Sequence, residues 1–141
     1  MRSYLLPVLG AAGINIASSL AIFSIFPPSE ASGEVQSFFE MPFGVSQYVT
    51  FFILVVALPL GEEFLFREAL WEFLEKRFTS KQVLFQVSVL FALCHLEPGL
   101  IVGLLPISFF LGWLRMKSGS IRHSFAAHVA HNFVGILLTI I

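Results

Sequence analysis

From Tyr4 to Phe26 the chain runs 23 residues without a single charge. At about 1.5 Å per residue, a helix of that length covers the roughly 30 Å hydrocarbon core of a bilayer. Backbone polar groups find no water there, so such a run must pair its own N–H and C=O groups as a helix. Arg2 stands in front of the run, which makes a signal peptide the competing reading. The run exceeds the roughly 7–15 apolar residues of a signal peptide, and no small-x-small cleavage site follows Pro27-Pro28. A retained span is therefore expected.

Four more apolar runs follow. One starts near Tyr48, passes through Leu60 into Gly61-Glu62-Glu63, and continues helically until the chain becomes charged from Glu68 to Lys81. The others cover about Gln82–Leu96, Leu100–Leu114 and Ser124–Ile141, with Pro106 inside the fourth run as an expected kink. Between the first two runs, Pro28, Pro42 and three glutamates (Glu30, Glu34, Glu40) read as a loop with a short interfacial helix around Val35–Met41. Glu97-Pro98-Gly99 reads as a turn, and Arg115 to His123 as a basic loop. The expected fold is all-α: a polytopic transmembrane helix bundle of five spans, one membrane domain over residues 1–141, with its motif-bearing core at 48–141.

Composition agrees. Hydrophobic residues make up 57% of the chain and charged ones 12%, about half the share of an ordinary soluble domain. A soluble domain of this size buries only roughly two thirds of the surface its unfolded chain exposes, too little for this much apolar side chain. A net charge of −1 excludes a nucleic-acid binder, and one cysteine excludes a disulfide scaffold. Seven of the eight basic residues fall at Arg2, at Lys76, Arg77 and Lys81, and at Arg115, Lys117 and Arg122. Five spans with a cytoplasmic N-terminus put all three places on one side, and Glu30, Glu34, Glu40 and Glu97 on the other, as the positive-inside rule requires.

Ionisable residues inside the spans are the informative ones, because each costs about 2.5–3.5 kcal/mol at mid-membrane on translocon scales unless paired or watered. Arg67 follows Glu63 by four residues, ion-pair spacing on a helix. That leaves Glu62 to face a cavity, where a carboxylate short of water is a stronger base than one in bulk solvent. The bland reading is a charge network at a helix end, which Glu68, Glu72 and Glu75 beside Lys76 do resemble. His95 lies deep in the third run, where a lone histidine is more often a packing residue than a catalyst. His128 and Asn132 are four apart and share a face, with His131 on the adjacent stripe. Such donors hold a developing oxyanion, bind a ligand, or simply bond helix to helix. Asn15, Ser18 and Ser19 read as packing contacts, and Cys94 has nothing nearby to activate its thiol. Counted from the membrane edge, Glu62, His95 and Asn132 fall at similar depth, roughly 15 Å in.

A carboxylate, histidines and an asparagine meeting in a bilayer activate water, bind zinc or relay protons. An aspartyl mechanism is excluded, since all nine acidic residues are glutamate. Lys117-Ser118-Gly119-Ser120 does not supply the Gly-x-Ser-Gly of a rhomboid-like serine protease, and no His-Glu-x-x-His is present.

Glu62-Glu63-x-x-x-Arg67, Phe91-x-x-x-His95 and His128-x-x-x-Asn132, in that order, resemble the three motifs of the CPBP family. These are intramembrane glutamic endopeptidases that include CAAX prenyl proteases and bacterial bacteriocin-processing or immunity-type proteins. The resemblance covers about Gly61 to Gly135. It implies that Glu62 is the general base, that His95 helps hold the water, and that His128 and Asn132 line an oxyanion hole. Glu63 and Arg67 would brace the site, with His131 in support, and no metal or other cofactor is implied. Typical members are longer and carry more spans, and Glu68 stands where a glycine often follows the motif arginine. The substrate entrance would then differ, or the chain would pair with itself as a homo-oligomer. The implied substrate is a membrane-associated peptide or protein: a leader, a C-terminal sorting tail or a CAAX-like end. The implied location is a bacterial inner membrane. Two alternatives stay open: a non-catalytic membrane scaffold or immunity protein, and a zinc hydrolase using Glu62, His95, His128 and His131.

Overall fold

Residues 4–23, 37–38 and 44–140 are described by the computed structural model, and no strand occurs among them. Five helices account for nearly all of these residues: α1 (Leu5–Phe23), α2 (Val45–Glu75), α3 (Ser80–Leu93), α4 (Pro98–Ser118) and α5 (Ile121–Ile140). Arg2 and most of the loop expected at 28–47 lie outside the described residues, as does most of the interfacial helix expected around Val35–Met41. Ser37 and Phe38, which are described, are helical.

Local chemistry sets the boundaries. The Thr79 N–H donates to Gln82 Oε1 at 3.0 Å and starts α3. Pro98 holds Glu97 in extended backbone and opens α4, the helix position where a missing N–H costs nothing. Gly119, at φ +68°, ends α4 by donating its N–H to the Arg115 carbonyl at 2.9 Å. α4 runs unbroken through Pro106.

Two boundaries differ from the expectations. α3 stops at Leu93, so His95 sits in a turn rather than deep in a span. The cause is local: Leu96 takes φ +60°, and the Glu97 N–H closes onto the His95 carbonyl at 2.8 Å, a tight three-residue turn. In turn, α4 extends through Ser118, which makes Arg115 a buried helical residue instead of a loop cation.

α4 is the central helix, packed against α1, α3 and α5. Ala11, Ile107, Leu111, Leu114 and Ala127 form one core between α1, α4 and α5; Trp71, Val83 and Val87 form a second between α2 and α3. Small residues let the backbones close in, as membrane helices require where lipid is as apolar as the helix surface. A Cβ at Gly112 would stand 2.6 Å from Leu84 Cδ1 and 3.2 Å from Ser88 Oγ. One face of α2 is exposed, with Val45, Val49, Phe52, Leu58, Phe64 and Leu65 on it, while Glu63, Arg67 and Trp71 are buried.

Two helices, Val45–Glu75 and Pro98–Ser118, are long and apolar enough to cross a membrane; Leu5–Ser18 and Ser80–Leu93 are shorter apolar helices.

Candidate active site

α2 is not a uniform α-helix. Its turns widen to π-helical spacing at Ile53–Ala57 and again at Glu63–Leu70. Such widening is rare, appears mostly as single turns, and is frequent at functional sites. In the first widened turn the Leu58 N–H bonds to the Ile53 carbonyl, five residues back. The donor next due, to Leu54, belongs to residue 59, which is proline and has no N–H. The Leu54 carbonyl instead accepts from Asn132 Nδ2 of α5 at 2.9 Å. Pro59 thus frees a backbone acceptor, and that acceptor orients the asparagine.

At the second widened turn, Glu62 and Glu63 both meet His128 of α5. His128 Nδ1 lies 3.0 Å from Glu63 Oε1, and His128 Nε2 lies 3.4 Å from Glu62 Oε2. Each ring nitrogen therefore faces a carboxylate. Ionised carboxylates only accept hydrogen bonds, so Glu62, His128 and Glu63 form a path along which a proton can move.

The two glutamates differ in surroundings. Glu63 is fully buried and pairs with Arg67 at 3.3 Å, also fully buried. Arg67 donates from Nη2 to Ser108 Oγ at 3.0 Å, and its guanidinium lies 4.1 Å from the centre of the Phe91 ring. The Ser108 hydroxyl donates onward to the Ser88 carbonyl at 3.0 Å, and Ser88 Oγ to the Ser108 carbonyl at 3.2 Å, so α3 and α4 are cross-bonded beneath the arginine. The Arg67 backbone carbonyl, in the widened turn, accepts from Arg115 Nε at 2.7 Å.

Glu62 keeps about a third of its side-chain surface accessible (32%). It lines an open cleft of about 310 Å³ with Asn15, Leu54, His131 and Asn132 among its walls. The cleft thus collects a carboxylate, an imidazole and two amides against an apolar wall. That set can hold a water, polarise it and offer donors to a developing negative charge.

His95 stands outside this cleft. Its Nδ1–H donates to the Phe91 carbonyl at 3.0 Å, and the Phe91 ring separates it from His128, with ring centres 5.1 Å and 5.6 Å away respectively. Three of the expected four-residue set, Glu62, His128 and Asn132, come together; His95 reaches them only across that ring. Among the described residues no three His, Cys, Asp or Glu side chains gather as metal ligands, so the zinc alternative finds no support in this arrangement. Cys94 is exposed at the end of α3.

Four contributors were not legible from motif spacing. Ser88, Ser108 and Arg115 are ordinary residues whose partners lie 20 to 48 positions away. Asn15, expected to be a packing contact, hydrogen-bonds to His131 instead. Pro59, three residues before Glu62, was the available signal for the freed Leu54 carbonyl.

The family described as Type II CAAX prenyl endopeptidase Rce1-like matches residues 44–134. Those residues include all of α2, α3 and α4 and most of α5, with every residue of the three motifs. Neither a curated protein nor a solved structure matches the chain.

Proposed function

We propose that this chain, which belongs to the Rce1-like family of type II CAAX prenyl endopeptidases, hydrolyses a peptide bond of a membrane-associated peptide or protein with a water activated by Glu62. The observation that carries the reading is Glu62 itself: a partly accessible carboxylate at the wall of a polar cleft, in contact with His128 and sharing that cleft with Asn132.

In this reading Glu62 removes a proton from a water held in the cleft, and the water oxygen attacks the carbonyl carbon of the scissile bond. Negative charge gathers on the carbonyl oxygen. Asn132 spends one N–H on Leu54 and has a second to offer that oxygen; His128, whose Nδ1–H is held by Glu63, offers Nε2–H when its ring is doubly protonated between the two carboxylates. The proton taken by Glu62 then passes to the leaving nitrogen as the C–N bond breaks. Glu63 and Arg67 are positioning residues: they hold His128 from its far nitrogen. His95, with Nδ1 committed to the Phe91 carbonyl, has only Nε2 to offer the water. The mechanism uses no metal.

The same reading makes residues 1–141 one polytopic domain with five spans and a cytoplasmic N-terminus. The clustering of Arg2, Lys76, Arg77, Lys81, Lys117 and Arg122 supports it. A bacterial inner membrane is the setting we assign. The substrate end is a CAAX-like prenylated tail, a leader or a sorting tail, the first being the kind that the family's description names.

The test is a comparison of protein termini in membrane and secreted fractions from cells carrying the wild-type chain or Glu62→Gln. Termini present with the wild type and lost with Glu62→Gln support the reading and reveal the substrate. Identical sets of termini overturn it and favour a scaffold.

A further inference from the structure

The family match begins at residue 44, yet one wall of the cleft comes from α1. Asn15 is buried (5% accessible) and faces α5. Its Nδ2 donates to the His131 backbone carbonyl at 2.9 Å and lies 3.1 Å from His131 Nδ1. The carbonyl can only accept, so it fixes which end of the amide is the NH₂. That NH₂ has two hydrogens and no acceptor function towards a ring N–H. One hydrogen serves the carbonyl; the other meets Nδ1, which must then be the bare, accepting nitrogen. A proton on Nδ1 would set two donors against each other. The neutral ring therefore carries its hydrogen on Nε2.

His131 lines the same cleft as Glu62 and Asn132. Helix spacing puts it one residue before Asn132 and three after His128, beside both members of the third motif. The fit around Asn15 is close: a Cβ at Gly135, one turn beyond His131, would lie 3.3 Å from Asn15 Nδ2. Nothing larger than glycine leaves the amide at rest in that place.

We infer that Asn15 is a positioning residue that locks His131 as its Nε2–H tautomer, so that α1 equips the cleft with one more hydrogen-bond donor for the substrate carbonyl or its oxyanion. The catalytic part of this statement rests on the protease reading; the tautomer part does not. Asn15→Asp is nearly isosteric but replaces the donor by an acceptor. It should draw the ring proton to Nδ1 and leave Nε2 bare.

Two readouts separate these parts. The first is nitrogen NMR of ring-labelled histidine in the full chain in lipid bilayers, with the His131 signal assigned by its absence in His131→Gln. The wild type should show Nε2 protonated and Nδ1 bare, with the pattern reversed in Asn15→Asp. A wild-type ring protonated on Nδ1 overturns the inference without any variant and whatever the activity. The second is turnover of a quenched-fluorescence farnesylated CAAX peptide. With the tautomer reversed, Asn15→Asp should lose about 10²-fold in kcat at little-changed KM, the size of a lost oxyanion donor. Asn15→Leu keeps the branched shape without the polar atoms, frees the ring to take either tautomer, and should lose less. A reversed tautomer with unchanged kcat overturns the positioning role. An uncleaved peptide in the wild type, with the Nε2–H tautomer present, counts against a CAAX-type substrate and leaves the tautomer assignment standing.

Discussion

Replacing Arg67 with methionine should destabilise the protein by about 3–5 kcal/mol, because it leaves Glu63 as an uncompensated buried charge. Both side chains are fully buried, and their 3.3 Å contact is the only charge compensation Glu63 receives from a permanent cation among the described residues. The arginine also gives up a charged hydrogen bond to Ser108 Oγ, worth about 1.5–3 kcal/mol, and the face of Phe91 at 4.1 Å, worth about 2 kcal/mol when desolvated. These contributions share one side chain and do not add, so the buried-pair figure bounds the sum. Glu63→Gln keeps an oxygen for His128 Nδ1 at 3.0 Å while removing the charge. In the double variant no carboxylate is stranded, so its cost should fall below the sum of the single costs by about 1–3 kcal/mol. Reversible unfolding in mixed micelles, followed by helical circular dichroism, measures all four corners of the cycle. A cost for Arg67→Met below about 1 kcal/mol, or strict additivity, would refute the claim that this pair is desolvated and coupled.

Other consequences are simpler to state. Asn132→Leu should lower kcat about 10²-fold by removing an oxyanion donor. It should also cost about 1–3 kcal/mol by leaving the Leu54 carbonyl unpaired, which separates it from a purely catalytic variant in the same unfolding assay. Gly112→Val should destabilise by about 1–3 kcal/mol through overpacking against Leu84 and Ser88. Combining it with Leu84→Ala should recover part of that loss, and no recovery would contradict the close α3–α4 approach.

The sequence made some of this legible and hid the rest for physical reasons. Long uncharged runs announce helices, since a chain in lipid has no other way to satisfy its backbone. The pairing of Glu63 with Arg67 follows from four-residue spacing, and the observed contact is that pairing. His95 was misplaced because apolar periodicity runs on past Leu93; the left-handed Leu96 and the extended residue before Pro98 end the helix first. Arg115 was read as a loop cation because charge usually marks a loop. Gly119, two residues after Lys117, carried the better signal for where α4 ends. Asn15 and the Ser88–Ser108 pair were illegible in principle. A buried polar group is understood only with its partner, and these partners lie on other helices.

The proposed hydrolysis requires Glu62 to act as a base. The direct measurement is cleavage of a quenched-fluorescence farnesylated CAAX peptide by the purified chain in lipid vesicles, wild type against Glu62→Gln. Matched helical content and unfolding midpoints would establish that the variant is folded. Because Glu62 is partly accessible and outside the buried Glu63–Arg67 pair, the variant should fold as the wild type does while losing about 10²–10⁴-fold in kcat. A folded Glu62→Gln protein that cleaves within about threefold of the wild-type rate would contradict the central claim, since a loss that small is below what removing a general base produces.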